Sequence, residues 1–226
     1  IKENSISLVG VDESLLNSFI SYANKMNTKL IWVNNNIKDI NTFNCTSFKY
    51  KDISYKTNLL GDYQAFNASL AIEAVNYFDN SFTVDEINDS LMNTFHPGRL
   101  EHISDKPLFF IDGAHNVHAM NALISFLKKY NNKKIHILFT ALHDKSYKEM
   151  IALLDTVAND YIFTTIQDKR KTELNDFLGL TNKQYQIVSD YREAISLLLA
   201  NRDENDLCIA TGSLHFISEI RNYIKK

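Results

Sequence analysis

Glycine and proline are scarce in this chain of 226 residues, at six and two. No glycine falls in Gly-x-x-x-x-Gly-Lys-Ser/Thr, so the sequence contains no phosphate-cradling loop of that type. Cysteine is equally rare. Cys45 and Cys208 stand far apart without CxxC spacing, which excludes a disulfide framework and fits a reducing, cytoplasmic setting. Cys208 lies in the apolar run Leu207-Cys208-Ile209-Ala210, where a buried thiol is expected. No apolar run approaches the ~18 residues that span a bilayer, and the first residues have no signal-peptide pattern. An excess of one charge is missing too, with 24 basic against 27 acidic residues. The basic footprint of a nucleic-acid binder is therefore absent, and neither nucleic acid nor membrane is expected as a partner.

What is present is a strand–helix alternation in two segments, 1–95 and 96–226, a length suited to one large core or two modest ones. The chain opens on Ile1, and 5–10 reads as an interior strand, so it is expected to begin within a domain. Asp12 is the expected cap of a helix to about 26, with Leu15, Leu16, Phe19, Ile20 and Ala23 at helical spacing. A strand over 29–33 precedes the polar turn Asn34-Asn35-Asn36. The weak alternation over 43–50 and 53–58 predicts antiparallel strands with one wet face. A helix over 63–77 follows, with Phe66, Leu70, Ala74 and Phe78 as its apolar face. Thr83 and Glu86 form a capping box for a helix to about 95, where Pro97-Gly98 breaks the chain.

The second segment predicts strands at 108–112, 135–140, 161–165, 185–188 and 207–211. Helices fall at 117–130, 146–158, 171–178, 191–201 and 214–224. This spacing gives an α/β fold of right-handed βαβ units, a mostly parallel sheet flanked by helices. Residues 100–104 would add an antiparallel edge strand.

The chemistry concentrates between His96 and Asn116. Leu108-Phe109-Phe110-Ile111 reads as a strand buried on both faces, delivering Asp112-Gly113-Ala114-His115-Asn116 at its carboxyl end. Open α/β sheets bind ligands there. Asp112 is a candidate acceptor for ribose hydroxyls, and His115 a candidate donor in the same crevice. The competing reading makes Asp112 and Asn116 simple helix caps. Arg99, directly after Pro97-Gly98, has the planar fork that grips phosphate, against the alternative of a junction salt bridge with Glu101. Asn67 offers an amide that reads an adenine edge, or is a solvated helix position. Thr211-Gly212-Ser213 is an anion nest or a plain helix cap, with capping favoured. His115 and His118 have helical metal spacing, but no third ligand accompanies them, so no metal site is assigned to this chain.

Taken in order, several pieces resemble the folylpolyglutamate synthase and bifunctional dihydrofolate synthase branch of the Mur ligase superfamily. They are Leu60-Gly61-x-x-Gln64-x-x-Asn67-Ala68, Pro97-Gly98-Arg99-Leu100-Glu101, Asp112-Gly113-Ala114-His115-Asn116, Ala141-Leu142-x-Asp144-Lys145 and Thr211-Gly212-Ser213-Leu214-His215-Phe216, followed by Glu219 and Arg221. The resemblance implies a Rossmann-like C-terminal domain at 96–226, preceded at 1–95 by the tail of a P-loop-type central ATPase domain. It implies a cytoplasmic, monomeric ATP-dependent amide ligase that joins L-glutamate to folate or dihydropteroate through an acyl phosphate. By motif match Asn67, Arg99, Asp112 and His115 would bind ATP, with Arg99 and His115 as catalytic residues. The family's P-loop, magnesium ligands and carbamylated lysine would precede Ile1, leaving this chain inactive alone. Ala141 stands where the family often has glycine. Another amino-acid ligase of the superfamily, a non-catalytic nucleotide-binding module and a metal-dependent hydrolase at His115 and His118 are the competing expectations.

Overall fold

Contacts along the chain divide between Phe95 and His96, giving the units Ile1–Phe95 and His96–Lys226. The structure is a computed structural model describing residues 1–33, 36–200 and 202–225. The expected turn at Asn34-Asn35 lies outside the described residues.

In the first unit, β1 (Ile6–Val9) and β2 (Lys29–Trp32) pair in parallel across the crossover helix α1 (Glu13–Lys25). Asp12 occupies the cap position, but its side chain makes no capping bond. Three strands, β3 (Ile37–Thr42), β4 (Thr46–Tyr50) and β5 (Ile53–Thr57), form an antiparallel meander. The sequence reading missed β3 and ran β4 through its turn. Lys38 and Asp39 hide the alternation of β3, and its register shifts between Lys38 and Asn41. Helix α2 (Tyr63–Phe78) packs on this sheet through Ala65, Ala68 and Ile72 against Phe48, Tyr50 and Tyr55. The expected apolar face is corrected in part: Leu70 packs at the edge of this core, but Phe66 is 38% and Phe78 88% exposed. The aromatic rings projected by the sheet pack against the face of Ala65, Ala68 and Ile72 in place of the phenylalanines. The capping box forms at α3 (Val84–Met92), where Glu86 Oε2 accepts Thr83 N–H at 2.8 Å and Thr83 Oγ1 accepts Glu86 N–H at 3.3 Å.

The second unit is one six-stranded sheet in the order β10-β9-β8-β11-β7-β6. Its strands are β6 (Glu101–Asp105), β7 (Leu108–Asp112), β8 (Ile135–Phe139), β9 (Asp160–Phe163), β10 (Gln184–Ile187) and β11 (Leu207–Thr211). Only β6 runs antiparallel, at the edge beside β7. Helices α4 (Val117–Leu127), α5 (Tyr147–Leu154), α6 (Tyr191–Leu199) and α7 (Leu214–Ile224) complete the unit. The central strands are buried on both faces, as continuous apolar runs require. Ile111, Leu138, Ile162 and Ala210 face Ile195 and Leu198 of α6 and Phe216 and Ile220 of α7. Phe110 lies on the other face, edge-on to Phe126 of α4 with ring centres 5.3 Å apart. The expected helix over 171–178 is only a 3₁₀ turn, Leu174–Phe177. Lys171 bridges Leu142 and Thr172 N–H donates to Ala141, so the chain is tied to a neighbouring loop where a helix would start.

At the opposite, amino-terminal ends of the strands, His136 is buried between two carboxylates. Its Nδ1 lies 2.7 Å from Asp160 Oδ2 and its Nε2 3.2 Å from Asp206 Oδ2, the latter a close contact without hydrogen-bond geometry. Burial pushes the Asp160 carboxyl up, but the His136 hydrogen bond and the charges of His136 and Arg202 outweigh it and hold it below 3.8. A lowered carboxyl stabilises the fold above its ordinary value and loses that contribution as pH falls toward the folded value. Urea midpoints should therefore drop between about pH 5 and 3. Asp160→Asn should flatten that drop, and an unchanged pH slope in the variant would contradict this assignment.

Candidate functional site

The carboxyl ends of the parallel strands carry the residues singled out in the sequence. Pro97-Gly98 turns the chain with Gly98 at φ +67°, and Arg99 N–H donates to the His96 carbonyl at 3.3 Å. Leu100 is held at φ +44°, a conformation that a branched residue avoids unless its neighbours impose it. Asp112, the last residue of β7, imposes it: Oδ2 accepts Leu100 N–H at 2.8 Å and Oδ1 accepts Ala114 N–H at 2.9 Å. Gly113 N–H donates back to the Gly98 carbonyl at 2.8 Å, so the Arg99 loop and the β7 exit form one unit.

Asp112 differs from the expected open ribose acceptor. It is 4% exposed with both oxygens engaged by backbone, and is first a brace for the Arg99 loop. Burial pushes its carboxyl above the usual range, opposed by those two N–H groups and by the charges of Arg99 and His115. His115 is half-buried, with Nδ1 at 2.8 Å from the Gly113 carbonyl. A carbonyl only accepts, so Nδ1 carries a hydrogen and Nε2 is left for a ligand. Asn116 caps α4, accepting Ala119 N–H at 2.9 Å.

The expected alternative for Arg99, an ion pair with Glu101, is overturned. Glu101 is buried and accepts from Gly98 N–H, from Arg221 Nε at 2.9 Å and from Lys225 Nζ at 2.9 Å. Among the described residues the half-buried Arg99 guanidinium has no ion-pair or side-chain hydrogen-bond partner. Capping is the observed role at Thr211-Gly212-Ser213, where Ser213 Oγ accepts Phe216 N–H at 3.5 Å. Asn67 is exposed on α2 of the first unit, its amide donating to Gln64 Oε1 at 2.9 Å. Among the described residues no three His, Cys, Asp or Glu side chains gather as metal ligands, and no helix is long and apolar enough to cross a membrane.

One feature was not found from the sequence. A cavity of about 850 Å³ opens where β9 and β10 end and α6 and α7 begin. Asp168, Lys169, Lys171, Arg192, His215 and Glu219 line it. His215 lies 3.6 Å from Asp168 and 3.7 Å from Glu219, while the Tyr191 hydroxyl donates to Glu219 at 3.3 Å. In the sequence His215 and Glu219 stood out only as motif residues, because three separate segments supply the wall.

Residues 98–214, more than half of the chain, match the family described as Mur ligase, glutamate ligase domain. The chain belongs to the Mur ligase family. It is 33% identical over 185 residues to the dihydrofolate synthase/folylpolyglutamate synthase of Bacillus subtilis, a match covering 78% of this chain and 42% of that protein. E. coli FolC in complex with DHPP and ADP shares the fold at a TM-score of 0.84 with 19% identity, over 99% of this chain and 54% of that one. The Yersinia pestis bifunctional folylpolyglutamate synthase/dihydrofolate synthase complexed with AMPPNP and Mn ion gives 0.84 at 20% identity, over 100% and 54%. The chain thus spans about half the length, or less, of these relatives. The family read from the motifs and the mostly parallel α/β fold are borne out.

Proposed function

We propose that this chain is part of an ATP-dependent ligase that adds L-glutamate to folate, dihydropteroate or both. Residues 96–226 would be its C-terminal domain and 1–95 the end of its central ATPase domain. The carrying observation is the Arg99 guanidinium, unpaired among the described residues and borne at the carboxyl ends of the strands on a loop braced by buried Asp112. Its fork meets phosphate oxygens in two places and supports the charge of a transferring phosphoryl group. The substrate carboxylate attacks the γ-phosphate and expels ADP to give an acyl phosphate, and the glutamate amine then displaces phosphate and loses a proton to form the amide. His115 offers Nε2 to the same crevice, Asp112 holds the loop, and Asn67 reads the adenine edge. The wide cavity suits the amino acid, since Lys169, Arg192 and His215 attract carboxylates while Asp168 and Glu219 attract an ammonium group. A divalent cation would neutralise the phosphates, and no ligand for it is assigned to this chain.

The complete gene product, given ATP, magnesium and L-glutamate, should release phosphate in step with glutamylation of folate or dihydropteroate. The 226-residue chain alone should hydrolyse ATP no faster than buffer, because it contains no phosphate-cradling loop. Magnesium-dependent turnover by that chain, or ligation of a different amino acid by the whole protein, would overturn the proposal. Tight nucleotide binding by the chain alone would favour a non-catalytic module.

A further inference from the structure

Arg99 is flanked by two backbone amides, and each is held by a buried carboxylate. Asp112 takes the Leu100 N–H on one side. Glu101, 5% exposed, takes the Gly98 N–H on the other at 2.9 Å. Glu101 is itself gripped by the last turn of α7: Arg221 Nε lies 2.9 and 3.0 Å from its two oxygens and Lys225 Nζ 2.9 Å from Oε1. Burial alone would push the Glu101 carboxyl up, but Lys225, the Gly98 N–H and Arg221 outweigh it and keep the group ionised. Both neighbours of Arg99, Gly98 at φ +67° and Leu100 at φ +44°, sit in the left-handed region. Such a backbone persists only where its surroundings over-determine it. Two cations converging on one carboxylate are more than a surface tie needs, and that carboxylate reaches the amide beside the arginine.

We propose that Glu101, anchored by Arg221 and Lys225, is a positioning residue that aims the Arg99 guanidinium through the Gly98 N–H. This rests on the reading that Arg99 meets the transferring phosphate. A misdirected guanidinium binds nucleotide almost as before but stabilises the transition state less, so the loss should fall on kcat.

The test is a double-mutant cycle in the complete gene product with Arg99→Ala, Glu101→Gln and both changes together. Glu101→Gln should lower kcat by about tenfold to a hundredfold, with KM for ATP within about twofold, as small misplacements do. In the Arg99→Ala background it should change nothing further. Additive losses, or wild-type kcat in folded Glu101→Gln, would overturn the positioning role while leaving the reading of Arg99 intact. Wild-type kcat in Arg99→Ala would sink that reading and this inference with it. If Glu101→Gln fails to fold, Lys225→Met, altered at the half-exposed end of the cluster, replaces it in the cycle. It should lower kcat without moving KM, again only when Arg99 is present, and an unchanged kcat would count against the proposal.

Discussion

Arg99→Ala in the complete gene product is expected to lower kcat at least about a hundredfold while moving KM for ATP far less, the usual scale for removing one preorganised charge from a transition state. Two features set the size of the effect. The guanidinium has no ion-pair partner among the described residues, so its charge is available to a ligand instead of being neutralised in place. Its backbone is fixed by Asp112 and Glu101, so little reorganisation is left for the moment of reaction. Arg99→Lys should recover only part of the rate, because an ammonium is a point charge and cannot form the paired contact of the planar fork. Steady-state kinetics at varied ATP decide the matter, and a change confined to KM would reduce Arg99 to a simple binding residue.

Gly212→Ala is expected to be the most damaging single-methyl change in the second unit. Gly212 sits at φ +110°, and a Cβ there would lie 2.0 Å from the Thr140 carbonyl oxygen and 2.8 Å from the Phe139 ring. The obstacle is backbone of the adjacent strand, which cannot swing aside as a flexible side chain would. A loss of about 4 kcal/mol or more follows, within the range that backbone strain and overpacking reach. The melting temperature should fall by about 10 °C or more. Gly179→Ala is the matched control: φ is +71°, but nothing lies within 4 Å of the added carbon. It should cost only the intrinsic left-handed penalty of about 1–2 kcal/mol. Thermal unfolding followed by circular dichroism compares the pair, and similar melting points for both would contradict the account.

Much of the second unit was legible in the sequence because its strands are buried on both faces. Leu108–Asp112 and Leu207–Thr211 were readable as uninterrupted apolar runs ending in turn residues. The capping box at Thr83 was readable for a similar reason, since the whole signal lies within four residues. Features set by distant partners were not readable. The buried face of α2 depends on the rings the meander presents to it, and β3 carries too many charged and amide side chains to show alternation. At the site, the arginine and the acid were visible as motif residues, but the partner of Glu101 was not. Arg221 and Lys225 stand 120 and 124 residues away from it, so local spacing favoured the wrong pairing with Arg99. The charged cavity escaped for the same cause, its wall coming from segments between 165 and 219.

A crystal structure of the complete gene product with magnesium and a non-hydrolysable ATP analogue tests the central claim most directly. Guanidinium nitrogens of Arg99 are expected at about 2.7–3.2 Å from phosphate oxygens, with the Gly98 and Leu100 amides still held by Glu101 and Asp112. Phosphates bound entirely by other groups, with Arg99 turned into solvent or paired to a carboxylate, would contradict it.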